Sequence, residues 1–154
     1  MLPQHHLIYD EFLTLLYDLE SVEQTPKYHP EGNALYHSLQ VFHCAKAQTS
    51  DPELHASALL HDIGKAVDCR CHAQWGAENL KAYCSERVCW LIEHHLDLLR
   101  HSHKTQLKFK NHPWLPDLHA LRRWDTAGRN PNAWVTTPED ALQTLFHNPI
   151  FLLV

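Results

Sequence analysis

Apolar residues recur at intervals of three and four along most of the chain, which is the spacing of an amphipathic α-helix. The first predicted helix covers about residues 5–20, where the apolar positions are Leu7, Ile8, Phe12, Leu15, Leu16 and Leu19. No segment shows the alternation of apolar and polar residues that is typical of a β-strand. The same helical spacing predicts further helices around residues 35–45, within 49–66, near 73–84, over 85–99, over 115–128 and near 137–147.

Residues that favour helix ends stand at the edges of several of these segments. Ser50 or Asp51 can serve as the N-cap of the third helix, because Pro52 suits its first turn. Ser85 can cap the fifth helix, and the polar, proline-bearing stretch 100–116 is predicted to be a loop. We therefore predict an all-α, single-domain helical bundle of about six to seven helices over residues 1–154, with its motif-bearing core over about 28–129.

Composition narrows the expected partners and compartment. The chain has 154 residues, of which 44% are hydrophobic, and a formal net charge of -5 without a long basic block, which argues against nucleic acid as a partner. No apolar run is long enough to span a bilayer and the first residues do not resemble a signal peptide, which predicts a cytoplasmic protein. The apolar segment HNPIFLLV can dock on the bundle or on a second copy, so a homo-oligomer stays an open alternative.

Histidine is unusually frequent, with 15 in the chain. The pair His61 and Asp62 follows an apolar run in the segment ALLHDIGKAVD, where the helical pattern points to the interior. Burying a carboxylate costs free energy unless a hydrogen-bonded cation or a metal ion accompanies it. The pair therefore indicates such a partner.

More histidines and a distal aspartate stand inside or next to apolar runs of the other predicted helices. Ligands from several helices that converge in a bundle core form dinuclear metal sites, and a carboxylate can bridge the two ions. Imidazole and carboxylate ligands together suit one or two divalent ions such as Fe, Mn, Ni, Zn or Mg. The candidates in chain order are His37, His61, Asp62, His72, His94, His95 and Asp125.

The motifs YHSLQVF, ALLHDIGKA, CHAQWGAENL, LIEHHLDLL and LRRWDTAGR follow one another along the chain. In this order they resemble the HD-domain superfamily of metal-dependent phosphohydrolases. The segment KYHPEGNALYHSLQVF is particularly similar to the HD domain attached to bacterial tRNA nucleotidyltransferases. The resemblance covers about residues 28–129 and implies the hydrolytic module of such proteins without the nucleotidyltransferase head.

The resemblance implies one metal site and a second that shares Asp62 with it. His94 and His95 are neighbours about 100° apart around a helix, so one can face a metal while the other packs or contacts substrate. The ligands implied for the first ion are His37, His61, Asp62 and Asp125. The residues implied for the second ion are His72, His94 and His95.

The resemblance also implies residues that bind the substrate. Lys65, in the HDxGK form of the motif, would be a point charge for a substrate phosphate. Arg129 could offer the same group a bidentate contact. Tyr28, His29 and Glu31 precede the second helix and are interpreted as a helix-entry turn, with pocket residues as the alternative.

We expect hydrolysis of a phosphate mono- or diester of a nucleotide or small metabolite by metal-activated water, with Asp62 and Lys65 as catalytic residues. The expected partner is thus a small phosphorylated substrate and not a membrane. One alternative is an HD-type mixed-valent diiron oxygenase, whose His and Asp ligands come from the same kind of bundle. Another is a non-catalytic metal-binding regulatory module.

Overall fold

The computed structural model describes residues 1–153, and the regular secondary structure of that range is helical. The prediction of an all-α helical bundle is confirmed. None of the helices in the described range is long and apolar enough to cross a membrane. The α-helices are α1 (Pro3–Asp18), α2 (Ala34–Gln48), α3 (Pro52–Leu60), α4 (His72–Leu80), α5 (Glu86–His94), α6 (Asp97–Arg100), α7 (Ser102–Lys108), α8 (Leu115–Ala127) and α9 (Pro138–His147). Short 3₁₀ turns cover Leu19–Ser21, Ile63–Ala66 and Pro149–Phe151.

Two of the predicted N-caps form hydrogen bonds at the starts of α3 and α5. Asp51 Oδ1 accepts a hydrogen bond from the Glu53 N–H at 3.0 Å, so Asp51 is the cap rather than Ser50. Ser85 Oγ accepts one from the Val88 N–H at 3.4 Å. These bonds satisfy backbone N–H groups that have no partner within the helix.

The prediction of a continuous loop over residues 100–116 is wrong, because α7 forms within it. Thr105 is the buried residue of this helix, and its Oγ1 donates a hydrogen bond to the Asp97 carbonyl oxygen in α6 at 3.1 Å. A hydrogen bond between the two short helices thus takes the place of an apolar face. The periodicity on which the prediction relied is therefore missing from this stretch.

The hydrophobic core consists of two groups of buried side chains that both include residues of α2 and α3. The larger group contains Phe12, Leu60 and Phe151 and packs α1, α9 and the C-terminal turn against these helices. The smaller group contains Val41 and Leu121 and packs α8 against their other side. The two helices that carry the first candidate ligands are therefore held from both sides.

The apolar C-terminal segment docks on the bundle of its own chain. The Leu153 N–H donates to the Tyr83 carbonyl oxygen at 2.9 Å, and the Ser85 N–H donates to the Phe151 carbonyl oxygen at 2.8 Å. The fully buried Phe151 ring also meets Phe146 edge-on, with ring centroids 5.5 Å apart. The described part of the segment thus adopts the first of its two predicted placements. Val154 lies outside the described residues.

Candidate metal centre

Six titratable side chains converge in the interior of the bundle, and we refer to them as the His/Asp cluster. They come from α2, the C-terminal end of α3, the start of α4, the residue after α5, and α8. None is more than 6% exposed, so their polar atoms need partners other than bulk water. The cluster consists of His37, His61, Asp62, His72, His95 and Asp125.

Asp62 lies at the centre of the cluster, with its two oxygens facing different histidines. Its Oδ1 lies 3.2 Å from His72 Nε2 and 3.3 Å from His95 Nε2. Its Oδ2 lies 3.2 Å from His61 Nε2 and 3.8 Å from His37 Nε2. Two pairs of imidazoles therefore share one carboxylate, which is an arrangement that allows a carboxylate to bridge two ions.

Asp125 closes the side of the cluster between α2 and α8. Its Oδ1 lies 2.8 Å from His37 Nε2 and 3.6 Å from His61 Nε2, so it joins the pair of histidines that faces Asp62 Oδ2. The cluster thus divides into two groups of donors. Potential ligand atoms lie within 4.8 Å of one another in the set His37, His61 and Asp62 and in the set Asp62, His72 and His95.

Three of the histidines are oriented by the same local bond. In each, Nδ1 contacts the carbonyl oxygen three residues earlier in the chain, and because a carbonyl only accepts hydrogen bonds, Nδ1 carries the proton. When the ring is neutral, as a metal ligand must be, Nε2 carries the lone pair and faces the cluster. The pairs are His61 with Ala58 at 2.8 Å, His72 with Cys69 at 3.0 Å and His95 with Ile92 at 2.6 Å.

These lone pairs are not fully satisfied within the protein. His61 Nε2 is buried and has no hydrogen-bond partner of good geometry in the described part of the chain. His72 Nε2 and His95 Nε2 lie only 3.3 Å apart, and two facing lone pairs repel unless a proton or cation lies between them. The donor set therefore fits divalent metal ions, and its imidazoles suit transition metals better than Mg²⁺, which prefers oxygen ligands.

The charges of the cluster shift one another's ionisation. Burial lowers the pKa of His61, but the negative charges of Asp62 and Asp125, which lie 3.2 and 3.6 Å from its Nε2, outweigh burial and raise it to about 10. Burial raises the pKa of Asp62, but the neighbouring His61 and Lys65 charges outweigh it and hold this pKa well below its ordinary value. The pKa of Asp125 is lowered in the same way, with burial opposed by His37 and His61. The cluster therefore keeps its carboxylates ionised and attracts positive charge.

Lys65 lies at the edge of the cluster in the turn that follows Asp62. Its Nζ lies 3.0 Å from Asp62 Oδ2 and donates a hydrogen bond to Gln24 Oε1 at 2.6 Å. The side chain remains 15% exposed, so its charge faces both the cluster and the solvent. Lys65 thus places a positive charge at the solvent-facing edge of the cluster.

Two arginines flank Asp125 on the other side. Arg129 Nη2 lies 3.9 Å from Asp125 Oδ1, and its Nη1 donates to the Tyr28 carbonyl oxygen at 3.1 Å. Arg122 Nη1 lies 3.8 Å from Asp125 Oδ2 and is buried without a hydrogen-bond partner in the described residues. The sequence analysis missed Arg122, although its position one helical turn before Asp125 was a usable signal.

His94 is the candidate ligand that the structure leaves outside the cluster. Its Nδ1 lies 2.7 Å from Asp97 Oδ2, and its ring packs against Trp90 and Phe109 with centroids 4.8 and 5.0 Å away. The neighbouring His95 takes the inward position. The step of about 100° between adjacent helical residues separates their side chains, as anticipated for one member of the pair.

The loop before α2 contributes residues that had been interpreted as a helix-entry turn. Glu31 is buried, and its Oε1 lies 2.7 Å from His29 Nδ1 and 3.1 Å from His37 Nδ1. The turn leads into α2 as interpreted from the sequence, and Glu31 also contacts a member of the His/Asp cluster. A pocket role for the loop stays a prediction. Gly32 closes the turn with a φ of 98°, a left-handed conformation that glycine adopts without strain.

Two glycines permit the close approaches on which the cluster depends. A Cβ atom at Gly64 would lie 2.1 Å from the His72 carbonyl oxygen, so only glycine lets the turn after Asp62 meet the start of α4. A Cβ atom at Gly128 would lie 2.7 Å from Val41 Cγ2. Glycine at each position allows a backbone approach that would exclude a side chain.

Cavity size alone does not identify this site. A cleft with a volume of about 670 Å³ lies between the α2–α3 region and α9, and its described lining includes Lys46, His55 and Gln143 but no carboxylate. The convergence of imidazoles and carboxylates instead marks the His/Asp cluster as the candidate site.

A family model of the HD domain matches residues 34–144, which is most of the chain. The chain belongs to the HD domain family. The match includes every member of the His/Asp cluster, and the resemblance inferred from the motifs is confirmed. Proteins of the HD superfamily are mostly metal-dependent phosphohydrolases, and the buried cluster of this HD domain could hold a metal.

Curated relatives of this HD domain include multifunctional CCA proteins. The protein from Halorhodospira halophila is 43% identical over 49 residues, which cover 32% of this chain and 12% of the relative. The protein from Hahella chejuensis is 39% identical over 67 residues, which cover 44% of this chain and 16% of the relative. The chain therefore spans less than a fifth of the length of these curated relatives.

Proposed function

We propose that this HD domain is a metal-dependent phosphohydrolase that acts on a phosphate mono- or diester of a nucleotide or another small metabolite. The observation that carries the proposal is the position of Asp62 between two pairs of histidine Nε2 atoms, with Lys65 3.0 Å from one of its oxygens. Residues suited to bind metal ions and a cation suited to contact phosphate thus lie side by side, which supports hydrolysis of a phosphate ester.

The cluster would hold up to two ions that share Asp62. A bound divalent ion would supply Lewis acidity and make hydroxide available near neutral pH. The protein's own contribution is to orient the ligands, because the backbone carbonyls fix the Nε2 lone pairs toward Asp62. The first ion would be held by His37, His61, Asp62 and Asp125, and the second by Asp62, His72 and His95.

The cations at the edge of the cluster would bind the substrate phosphate. Lys65 acts as a point charge, and the guanidinium groups of Arg129 and Arg122 add further N–H donors for phosphate oxygens. Lys65 reaches the site from the turn after Asp62, and the two arginines reach it from α8 and the residues just after it, so the cations can contact different oxygens of one tetrahedral group. Their charge would also stabilise the negative charge that develops on the phosphoryl oxygens.

Metal analysis followed by a substrate panel tests this function. The chain is purified aerobically and anaerobically without added metal, and bound metals per chain are measured. Hydrolysis of phosphomonoesters, nucleotides and cyclic phosphodiesters is then assayed before and after treatment with a chelator. We expect bound Mn, Ni, Zn or Fe and a hydrolytic activity that the chelator abolishes and the metal restores.

The donor set of four histidines and two aspartates also supports a second candidate, the mixed-valent diiron oxygenase. Two irons per chain with a mixed-valent EPR signal, together with consumption of O₂, would favour the oxygenase over the hydrolase. Stable metal binding without turnover of any phosphate ester or O₂ would instead favour the regulatory module.

A further inference from the structure

Glu31 is an acidic residue buried beside the cluster without belonging to it. Its side chain has no measurable exposure, although it lies in a turn between the first 3₁₀ segment and α2. The turn itself is held by backbone bonds, since the Gln24 N–H donates to the Gly32 carbonyl oxygen at 3.1 Å. A buried carboxylate is costly unless it accepts hydrogen bonds, so its partners indicate its role.

Those partners are two histidine rings that meet edge-on. Glu31 Oε1 accepts a hydrogen bond from His29 Nδ1 at 2.7 Å and lies 3.1 Å from His37 Nδ1. The centroids of the two rings are 5.1 Å apart, with their planes at 82°. The same His37 nitrogen donates to the Gly128 carbonyl oxygen at 2.7 Å. The Glu31 carboxylate and the Gly128 carbonyl therefore both lie on the Nδ1 side of the His37 ring.

The opposite nitrogen of His37 faces the cluster. His37 Nε2 lies 2.8 Å from Asp125 Oδ1 and 3.8 Å from Asp62 Oδ2. The imidazole thus separates the Glu31 carboxylate from the candidate metal position. A carboxylate behind a histidine ligand fixes the tautomer and ring orientation and makes the ligand more basic.

A third metal position between His29, Glu31 and His37 is the competing interpretation, because ligand atoms of these residues lie within 4.8 Å of one another. The His37 nitrogen in that set is Nδ1, which is the proton donor to Gly128. It therefore has no lone pair to offer a metal while Nε2 serves the cluster.

We propose that Glu31 is a positioning residue that holds His37 in its metal-binding orientation, and that His29 fixes Glu31 in turn. The inference rests on the metal binding in the proposed function and extends it to a residue that contacts no candidate metal position. Its role differs from that of the neutral Gly128 carbonyl, because only the carboxylate adds negative charge behind the ring.

The substitution Glu31→Gln tests this role, because it keeps the shape and an acceptor oxygen but removes the charge. The dissociation constant of Co²⁺ is measured by competition with a chelator, and the visible spectrum of the Co²⁺-loaded protein reports the ligand geometry. We expect the dissociation constant to rise by about 10–100-fold and the spectrum to change. Glu23→Gln is the matched control, since Glu23 is exposed in the same loop, and it should leave both measurements unchanged.

Other outcomes contradict the inference in different ways. If Glu31→Gln lowers only the melting temperature of the metal-free protein and leaves the Co²⁺ affinity unchanged, Glu31 is structural and the inference is wrong. If the unsubstituted chain binds no Co²⁺, Zn²⁺, Mn²⁺ or Fe²⁺, the proposed function fails together with the inference. Should Glu31→Gln not fold, His29→Gln serves instead, and a smaller rise in the dissociation constant is expected because Glu31 then loses one of its two partners.

Discussion

Two networks of charged side chains lie in this bundle, and they differ in their balance of hydrogen-bond donors and acceptors. In one, Arg87 lies between three carboxylates. Its Nη1 lies 2.7 Å from Asp51 Oδ2 and 2.9 Å from Glu53 Oε2. Its Nη2 lies 2.9 Å from Asp117 Oδ2. We refer to it as the Arg87 network. The other is the His/Asp cluster, in which acceptors and lone pairs face one another with few donors between them.

The two networks differ in how well their hydrogen-bonding groups are matched. The Arg87 guanidinium supplies the N–H groups that its carboxylates accept, and it joins α5 to α8 and to the start of α3. In the cluster, His61 Nε2 forms no hydrogen bond of good geometry with the described residues, and two other Nε2 atoms lie only 3.3 Å apart. Buried polar atoms rarely lack hydrogen-bond partners, and the donor atoms of this cluster suit a divalent metal ion.

The largest effect is expected from Asp62→Asn. Because both oxygens of Asp62 face histidine pairs, neither ion should be retained, and phosphate-ester hydrolysis should fall to background. Elemental analysis of the purified variant measures the first effect and the substrate panel measures the second. Asp10→Asn, an exposed aspartate on α1, is the control for the change of charge. If Asp62→Asn keeps its full metal content, metal binding does not depend on Asp62, and the contrast drawn between the two networks is wrong.

A smaller effect should separate the adjacent histidines at the end of α5. His95→Ala removes a donor that lies 3.3 Å from Asp62 Oδ1, so we expect the loss of the second ion and retention of the first. His94→Ala should keep the metal content of the unsubstituted chain, because its Nδ1 contacts Asp97 instead. Metal stoichiometry checks both variants. Equal losses in the two would show that His94 is a ligand.

The third prediction concerns the Arg87 network. Arg87→Met should lower the free energy of unfolding by about 2 kcal/mol, because three carboxylates lose their shared cation while remaining partly solvated. Denaturant unfolding of the metal-free protein measures this change. Metal content and metal affinity should stay as in the unsubstituted chain. A loss of bound metal in the folded variant would mean that the two networks are coupled.

Much of the fold was predictable because each long helix buries an apolar face. The helix α7 was not, since Thr105 is fixed by a hydrogen bond that leaves no apolar period in the sequence. The same limit applies to Glu31. A glutamate in a polar turn is usually solvated, and only the packing of that turn against α2 buries it.

Within the candidate site, the motifs identified the residue types better than their orientations. The HD pair and the distal Asp125 stand in recognisable segments, and the structure brings them together. The choice between His94 and His95 depends on the rotation of α5 about its axis, which tertiary packing sets. To assign the ligands, the rotation of each helix about its axis must therefore be known as well as its sequence.

The contact between His37 and Asp125 joins residues that are 88 positions apart in the chain. An ion held by both would act as a reversible cross-link and would restrict the unfolded chain much as a disulfide does. Unlike a disulfide, this cross-link opens when metal is scarce. The resistance of the segment between α2 and α8 to proteolysis would then follow the supply of metal in the cell, so that protein lifetime and metal availability become linked.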